Sequence, residues 1–142
     1  MIQMVVDKVG LDAESEQAIV LLKDVRGTTM LPIWVGPAEA TAIALSIQGM
    51  KASRPLTCDL LKEIVDRLEA KVVMVLVTEL KEQTYYATLV LGPPGGDNVE
   101  VDCRPSDGIA LALRADAPIY VSEAVLAEAG VPSDQDSAGP IH

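Results

Sequence analysis

Three stretches rich in β-branched and long aliphatic residues, Ile2–Val9, Gln17–Val25 and Met30–Val35, follow one another before any helical periodicity begins. This order limits the fold more than any other feature. Consecutive strands joined by an acidic connection and by the turn Arg26-Gly27-Thr28-Thr29 pair as neighbours in one sheet. Strict alternation of strand and helix is thereby broken, which argues for an α+β domain over a doubly wound parallel sheet. The expected architecture is a mixed, mainly antiparallel sheet with hairpins, packed against three to four helices in one domain. Apolar residues make up 49% of the chain, yet Phe is absent and aromatics reach only 3%, so the core must be built from Val, Leu, Ile and Ala.

Gly36-Pro37 stops the third strand, and Pro37 suits the first turn of a helix. Ala40, Ile43, Ala44 and Ile47 recur with the spacing of one helical face, and Gly49 ends the run. Thr57 is the expected N-cap of a second helix with a buried face of Leu61, Ile64, Val65 and Leu68. Lys71–Lys81 and Thr84–Leu91 pair as a hairpin through Glu82-Gln83, and Val99–Cys103 follows an exposed Gly/Pro loop. Ser106 is expected to cap a third helix over Ile109–Arg114, apolar on most sides and therefore deeply buried. Pro118–Val121 is a last strand, and Ser122 caps a short helix through Ala129. Residues 1–130 thus form the domain, and residues 131–142 (VPSDQDSAGPIH) read as a flexible tail.

Composition removes whole classes of function. The only histidine is His142, the last residue, so Ser-His-Asp, Cys-His and His-rich metal sites have no histidine within the folded region. Cys58 and Cys103 match no zinc spacing and no disulfide framework, and reduced thiols are expected. No apolar run approaches the roughly 18–20 residues of a membrane span. The acidic N-terminus does not resemble a secretory signal, so a cytoplasmic location is expected. The net charge of −10 argues against a general nucleic-acid binder. The charge is uneven, however: residues 51–71 hold Lys51, Arg54, Lys62, Arg67 and Lys71 and carry no net negative charge. A local basic face is one reading, and helical pairing with Glu63 and Asp66 is the other. Trp34, Tyr85, Tyr86 and Tyr120 lie on strands and read as core or interface packing.

Two helix starts share one pattern, Arg54-Pro55-Leu56-Thr57-Cys58-Asp59 and Arg104-Pro105-Ser106-Asp107. Each joins Arg-Pro to a hydroxyl residue and then to a first-turn aspartate. Unpaired N–H groups and partial positive charge at a helix start, with a guanidinium beside them, favour phosphate. Arg54, Thr57, Arg104 and Ser106 are the candidate phosphate ligands. The aspartates could hold a divalent metal through oxygen, with Glu39 of Pro37-Ala38-Glu39 as a third carboxylate. The structural alternative is that each carboxylate serves its own helix dipole or an internal ion pair.

Several segments together resemble the bifunctional nuclease domain family of bacterial and plant proteins, described as having both DNase and RNase activity. They are Leu31-Pro32-Ile33-Trp34-Val35-Gly36 with Glu39-Ala40, Arg54-Pro55-Leu56-Thr57 with Asp59-Leu60-Leu61, and Tyr85-Tyr86-Ala87. Val101-Asp102, Arg104-Pro105-Ser106-Asp107, Ile109–Leu113 and Ala117–Val121 complete the set, so the likeness covers roughly residues 2–130. It implies a compact α+β domain, often a homo-oligomer, with nuclease activity. The matching polar positions are Glu39, Arg54, Thr57, Asp59, Arg104, Ser106 and Asp107. Many members carry His between the positions of Thr57 and Asp59, where this chain has Cys58. A histidine there could serve as base or ligand, whereas Cys58 reads either as a helix-start thiol or as a buried core residue.

Two functions follow. One is a divalent-metal-dependent phosphodiesterase acting on DNA or RNA, with Glu39, Asp59 and Asp107 holding Mg2+ or Mn2+ as the catalytic set and no organic cofactor. Arg54 and Arg104 would then grip the phosphate. It requires the three carboxylates to converge. The other is a non-catalytic, homo-oligomeric module that binds a phosphorylated ligand or a protein partner at the same helix starts, with no membrane involvement.

Overall fold

A computed structural model describes residues 1–133 apart from Ala13 and Ser15, and the side chain of Asp12 is likewise not described. The chain runs β1 (Ile2–Asp12), β2 (Gln17–Asp24), β3 (Thr29–Val35), α1 (Pro37–Ile47) and α2 (Thr57–Arg67). It continues with β4 (Lys71–Lys81), β5 (Thr84–Gly92), β6 (Val99–Cys103), α3 (Pro105–Ala115), β7 (Ile119–Val121), α4 (Glu123–Ala129) and β8 (Val131–Pro132). The eight strands form one sheet in the order β6-β5-β4-β7-β1-β2-β3-β8. Every pairing is antiparallel except β4 with β7. The single parallel pair has a simple cause: the chain leaves β4, completes its hairpin with β5 and β6, and returns through α3 to enter β7 in the same direction. The expected α+β class, with a mixed and mainly antiparallel sheet, is the class observed.

The core is mainly aliphatic, with Met4, Met30 and Cys58 also buried. Val20, Leu22, Leu31, Ile33, Val75, Val77, Ile109, Ala112 and Val121 are all essentially inaccessible. Helix α3 is the central layer element, packed against α1, α2, β4 and β5. It can approach β4 closely because Gly108 lacks a side chain: a Cβ there would lie 2.8 Å from Val75 Cγ1 and 3.1 Å from Cys103 Sγ. The sheet also curls. Tyr85, near the tip of the β4–β5 hairpin, donates its hydroxyl hydrogen to the Pro32 carbonyl of β3 at 3.2 Å, although four strands lie between β5 and β3 in the sheet order. This curl brings the hairpin tip to the side of the molecule where α1 and α3 begin.

Several local expectations are corrected. Thr57 is the first helical residue of α2 and not its N-cap; Leu56 holds that position, and Asp59 reaches back to accept the Leu56 N–H at 2.8 Å. A carboxylate two residues inside the helix satisfies the orphan donor as well as a capping hydroxyl does. Ser106 likewise lies inside α3, which starts at Pro105 with Arg104 as N-cap, because proline is most readily accommodated at the first helical position. The face of α2 expected to be buried is largely not: Leu61, Ile64 and Leu68 are 41%, 46% and 69% exposed. Helix α2 is anchored mainly through its first turn, where Cys58 is buried, as expected for a core cysteine. Ser122 does cap α4, accepting the Val125 N–H at 3.1 Å. Lys62 pairs with Asp66 and Arg67 with Glu63, so the helical-pairing reading holds for these two cations. Val131 and Pro132 pair with Met30 and Thr29, so the sheet extends two residues past the expected boundary. The rest of the expected tail, with His142, lies outside the described residues. Among the described residues, no helix is long and apolar enough to cross a membrane.

Candidate functional site

The starts of α1, α2 and α3 meet. Between them lies a cleft of about 220 Å³ lined by Glu39, Thr57, Cys58, Arg104, Ser106 and Asp107, with Ala42 and Leu61 as apolar walls. Five of the seven expected site residues therefore share one cleft. Each is there for a local reason. Pro37 and Pro105 set the first turns of α1 and α3, which puts Glu39 and Asp107 where carboxylates are favoured by the helix dipole. Glu39 folds back over Gly36, where a side chain would collide with its carboxylate.

Arg104 organises this cleft. Its Nε and Nη2 donate to the two oxygens of Asp107 at 2.9 and 3.0 Å, a bidentate pair, and Nη2 also donates to Glu39 Oε2 at 3.3 Å. Asp107 first and Glu39 second raise an already high pKa, so the group is a permanent cation. Among the described residues, no hydrogen bond uses its Nη1, and the side chain is 65% exposed. One edge of the guanidinium is thus held and the other faces solution.

Asp59 is not in this cleft. It accepts Arg114 Nε at 2.7 Å in addition to the Leu56 N–H. The backbone bond chiefly, and then Arg114, hold its carboxyl below the ordinary value. Together with Arg54, Lys51, Ser46 and Arg114 it lines a separate, larger cavity of about 500 Å³. The convergence demanded of Glu39, Asp59 and Asp107 is accordingly met by two of the three. Arg104 bridges Glu39 and Asp107, whereas Asp59 is held elsewhere by the Leu56 N–H and by Arg114. Among the described residues, no group of three or more His, Cys, Asp or Glu side chains is placed to hold a metal ion. A guanidinium lies between the two carboxylates that do converge.

Arg114 was not singled out in the sequence, although a signal was present. It is the one charge within Ile109–Ala115, a run otherwise apolar, and such a residue is retained only with a partner. Its side chain is 12% exposed and also donates to Ser46 Oγ and to the Ala110 carbonyl. Arg54 and Lys51 have no ion pair within 4 Å among the described residues, so that cavity carries positive charge in an acidic protein. Burial pushes the Cys58 thiol up, with Arg114 opposing, so a thiolate at this helix start is disfavoured. Cys103, behind α3, is pushed up to about 11, chiefly by burial and then by Asp107.

Comparison with known proteins places the chain in a family. The family described as bifunctional nuclease domain matches residues 20–134. An uncharacterized protein of Mycobacterium tuberculosis is 43% identical over 132 residues, which is 90% of this chain and 78% of that protein. Bifunctional nuclease 1 of Arabidopsis thaliana is 32% identical over 114 residues, and bifunctional nuclease 1 of Oryza sativa subsp. indica is 28% identical over 116. These alignments cover 79% and 80% of this chain but only 35% of each plant protein. A match over most of the chain, with the Arg104 cleft inside it, has one consequence: the chain belongs to the bifunctional nuclease domain family.

Proposed function

We propose that the cleft between the starts of α1, α2 and α3 binds and hydrolyses a phosphodiester of DNA or RNA. The observation that carries this is Arg104, locked by Asp107 and Glu39 on one edge and open on the other. The open Nη1 edge would hold a phosphate oxygen, and the unpaired N–H groups of the first turn of α3 would add to it. Because Arg104 is positioned before substrate arrives, its charge can act on the transition state without reorganisation. Glu39, whose contact with Arg104 is the longer one, is the carboxylate placed to accept a proton from an attacking water. Thr57 and Ser106 supply hydroxyls at the cleft wall. Mg2+ or Mn2+ would add Lewis-acid charge in such chemistry, but the residues do not form the three-carboxylate set, and no step is assigned to a metal.

The test is cleavage of single- and double-stranded DNA and RNA with Mg2+, with Mn2+ and with chelator, comparing wild type with Arg104→Gln and Asp107→Asn. Loss of one such donor is expected to lower kcat by about 100-fold or more. Cleavage that survives both substitutions sinks the assignment.

A second reading is favoured by a different observation. Leu61, Ile64 and Leu68 form an exposed apolar face on α2, which suits a homo-oligomeric binding module. A mass in solution above that of one chain, together with no cleavage under any condition, would select it.

A further inference from the structure

We infer that a pocket beside the cleft is a nucleobase subsite in which Trp34 stacks on the base of a nucleotide whose phosphate Arg104 holds. This rests on the proposed phosphate role of Arg104. Trp34 is the only tryptophan of the chain and is 50% exposed. Its neighbours Ile33 and Val35 point into the core, so strand alternation turns the indole outward. Of the two sequence expectations, core or interface packing, the exposure excludes the core, and this ring lines a pocket of about 290 Å³ with Tyr85, Gln83, Thr84, Arg104 and Ser106.

Three observations make the pocket a place for a base. First, Arg104 and Ser106 line both this pocket and the 220 Å³ cleft, so one guanidinium separates a phosphate position from an aromatic one. Phosphate and base of one nucleotide stand in the same relation. Second, the volume sits near the lower end for small-molecule sites, roughly 300 Å³, which suits one base with its sugar and not a longer segment. Third, the rim is polar where a base edge would lie. Glu82 and Gln83 form the hairpin turn with positive φ at both residues (49° and 66°), a geometry that usually recruits Asn-Gly. The turn therefore places a glutamine amide, able to donate and accept, where glycine would carry no side chain. Stacking also answers the charge problem of an acidic protein, because a base is attracted by its π face and needs no cationic groove.

Trp34 is its own reporter. Emission is followed on the intact protein with adenosine, adenosine 5′-monophosphate and ribose 5-phosphate as probes. Saturable quenching by both adenosine and the nucleotide, none by ribose 5-phosphate, and tighter binding of the nucleotide than of either part are expected. By calorimetry, Trp34→Ala should weaken the nucleotide about 5- to 100-fold and leave ribose 5-phosphate unchanged, while Trp34→Tyr retains most of the affinity. Quenching by adenosine with no binding of ribose 5-phosphate supports the base subsite and removes the phosphate role of Arg104. Nucleotide binding no tighter than ribose 5-phosphate, with emission unchanged, overturns the subsite and leaves Arg104 standing. No response to adenosine or to the nucleotide overturns it as well. So does an emission shift that follows protein concentration and ignores nucleotide, since Trp34 would then contact a second copy.

Discussion

Replacing Asp59 by alanine removes two bonds at once. The carboxylate accepts the Leu56 N–H at 2.8 Å, closing the start of α2, and accepts Arg114 Nε at 2.7 Å. Loss of a helix-start acceptor costs about 1 kcal/mol. A hydrogen bond between charged groups contributes about 1.5–3 kcal/mol, and the lower end applies because the Asp59 side chain is 35% exposed to competing water. Arg114, only 12% exposed, keeps Ser46 and the Ala110 carbonyl, which limits the penalty for its lost partner. The total is about 2.5 kcal/mol, measured as a shift in urea midpoint at unchanged slope. A double-mutant cycle with Arg114→Met should return a coupling of about 1–2 kcal/mol. The pH dependence has a definite sign. The folded carboxyl is held below its ordinary value of 3.8, so its contribution is fully present above that value and is lost as pH falls through the folded pKa. The gap between wild type and Asp59→Ala should therefore be constant above about pH 5 and narrow below about pH 3.8. A variant within 0.5 kcal/mol of wild type at pH 7, or a coupling near zero, would refute the assignment of Asp59 to the scaffold.

Gly108→Ala should destabilise by about 1–3 kcal/mol, because its Cβ would meet Val75 Cγ1 at 2.8 Å in a packed layer; calorimetric melting checks this, and an unchanged midpoint would show that α3 can move off β4. Neither thiol should react with iodoacetamide at pH 8 in the native protein while both react in urea, since burial raises Cys58 and takes Cys103 to about 11; fast native labelling of Cys58 would contradict its place beneath the cleft.

The elements were legible because they depend on short-range chemistry. The hairpin through Glu82-Gln83, the helix opened by Pro37, and Ser122 as a cap follow from the propensities of adjacent residues. The caps at Thr57 and Ser106 were misplaced by the same logic, since a proline or a reaching carboxylate can do what a hydroxyl does. The periodicity of α2 was also correctly apolar, but periodicity states that a face wants to be covered and not what covers it. In this fold only the first turn of α2 meets the core, and Leu61, Ile64 and Leu68 are left outside.

By itself, the sequence determined the α+β class, the mainly aliphatic core, the absence of histidine from residues 1–141, and the residue types at three helix starts. Those properties are carried by local pattern and composition. Only the tertiary structure decided that Glu39 and Asp107 share Arg104 while Asp59 turns to Arg114, and that Trp34 faces solution beside Arg104. The two Arg-Pro motifs are nearly the same locally. What separates them is which distant charge the fold brings into contact, Glu39 with Arg104 at 3.3 Å and Arg114 with Asp59 at 2.7 Å, and that is fixed by the packing of α3 against α1 and α2 rather than by any spacing along the chain.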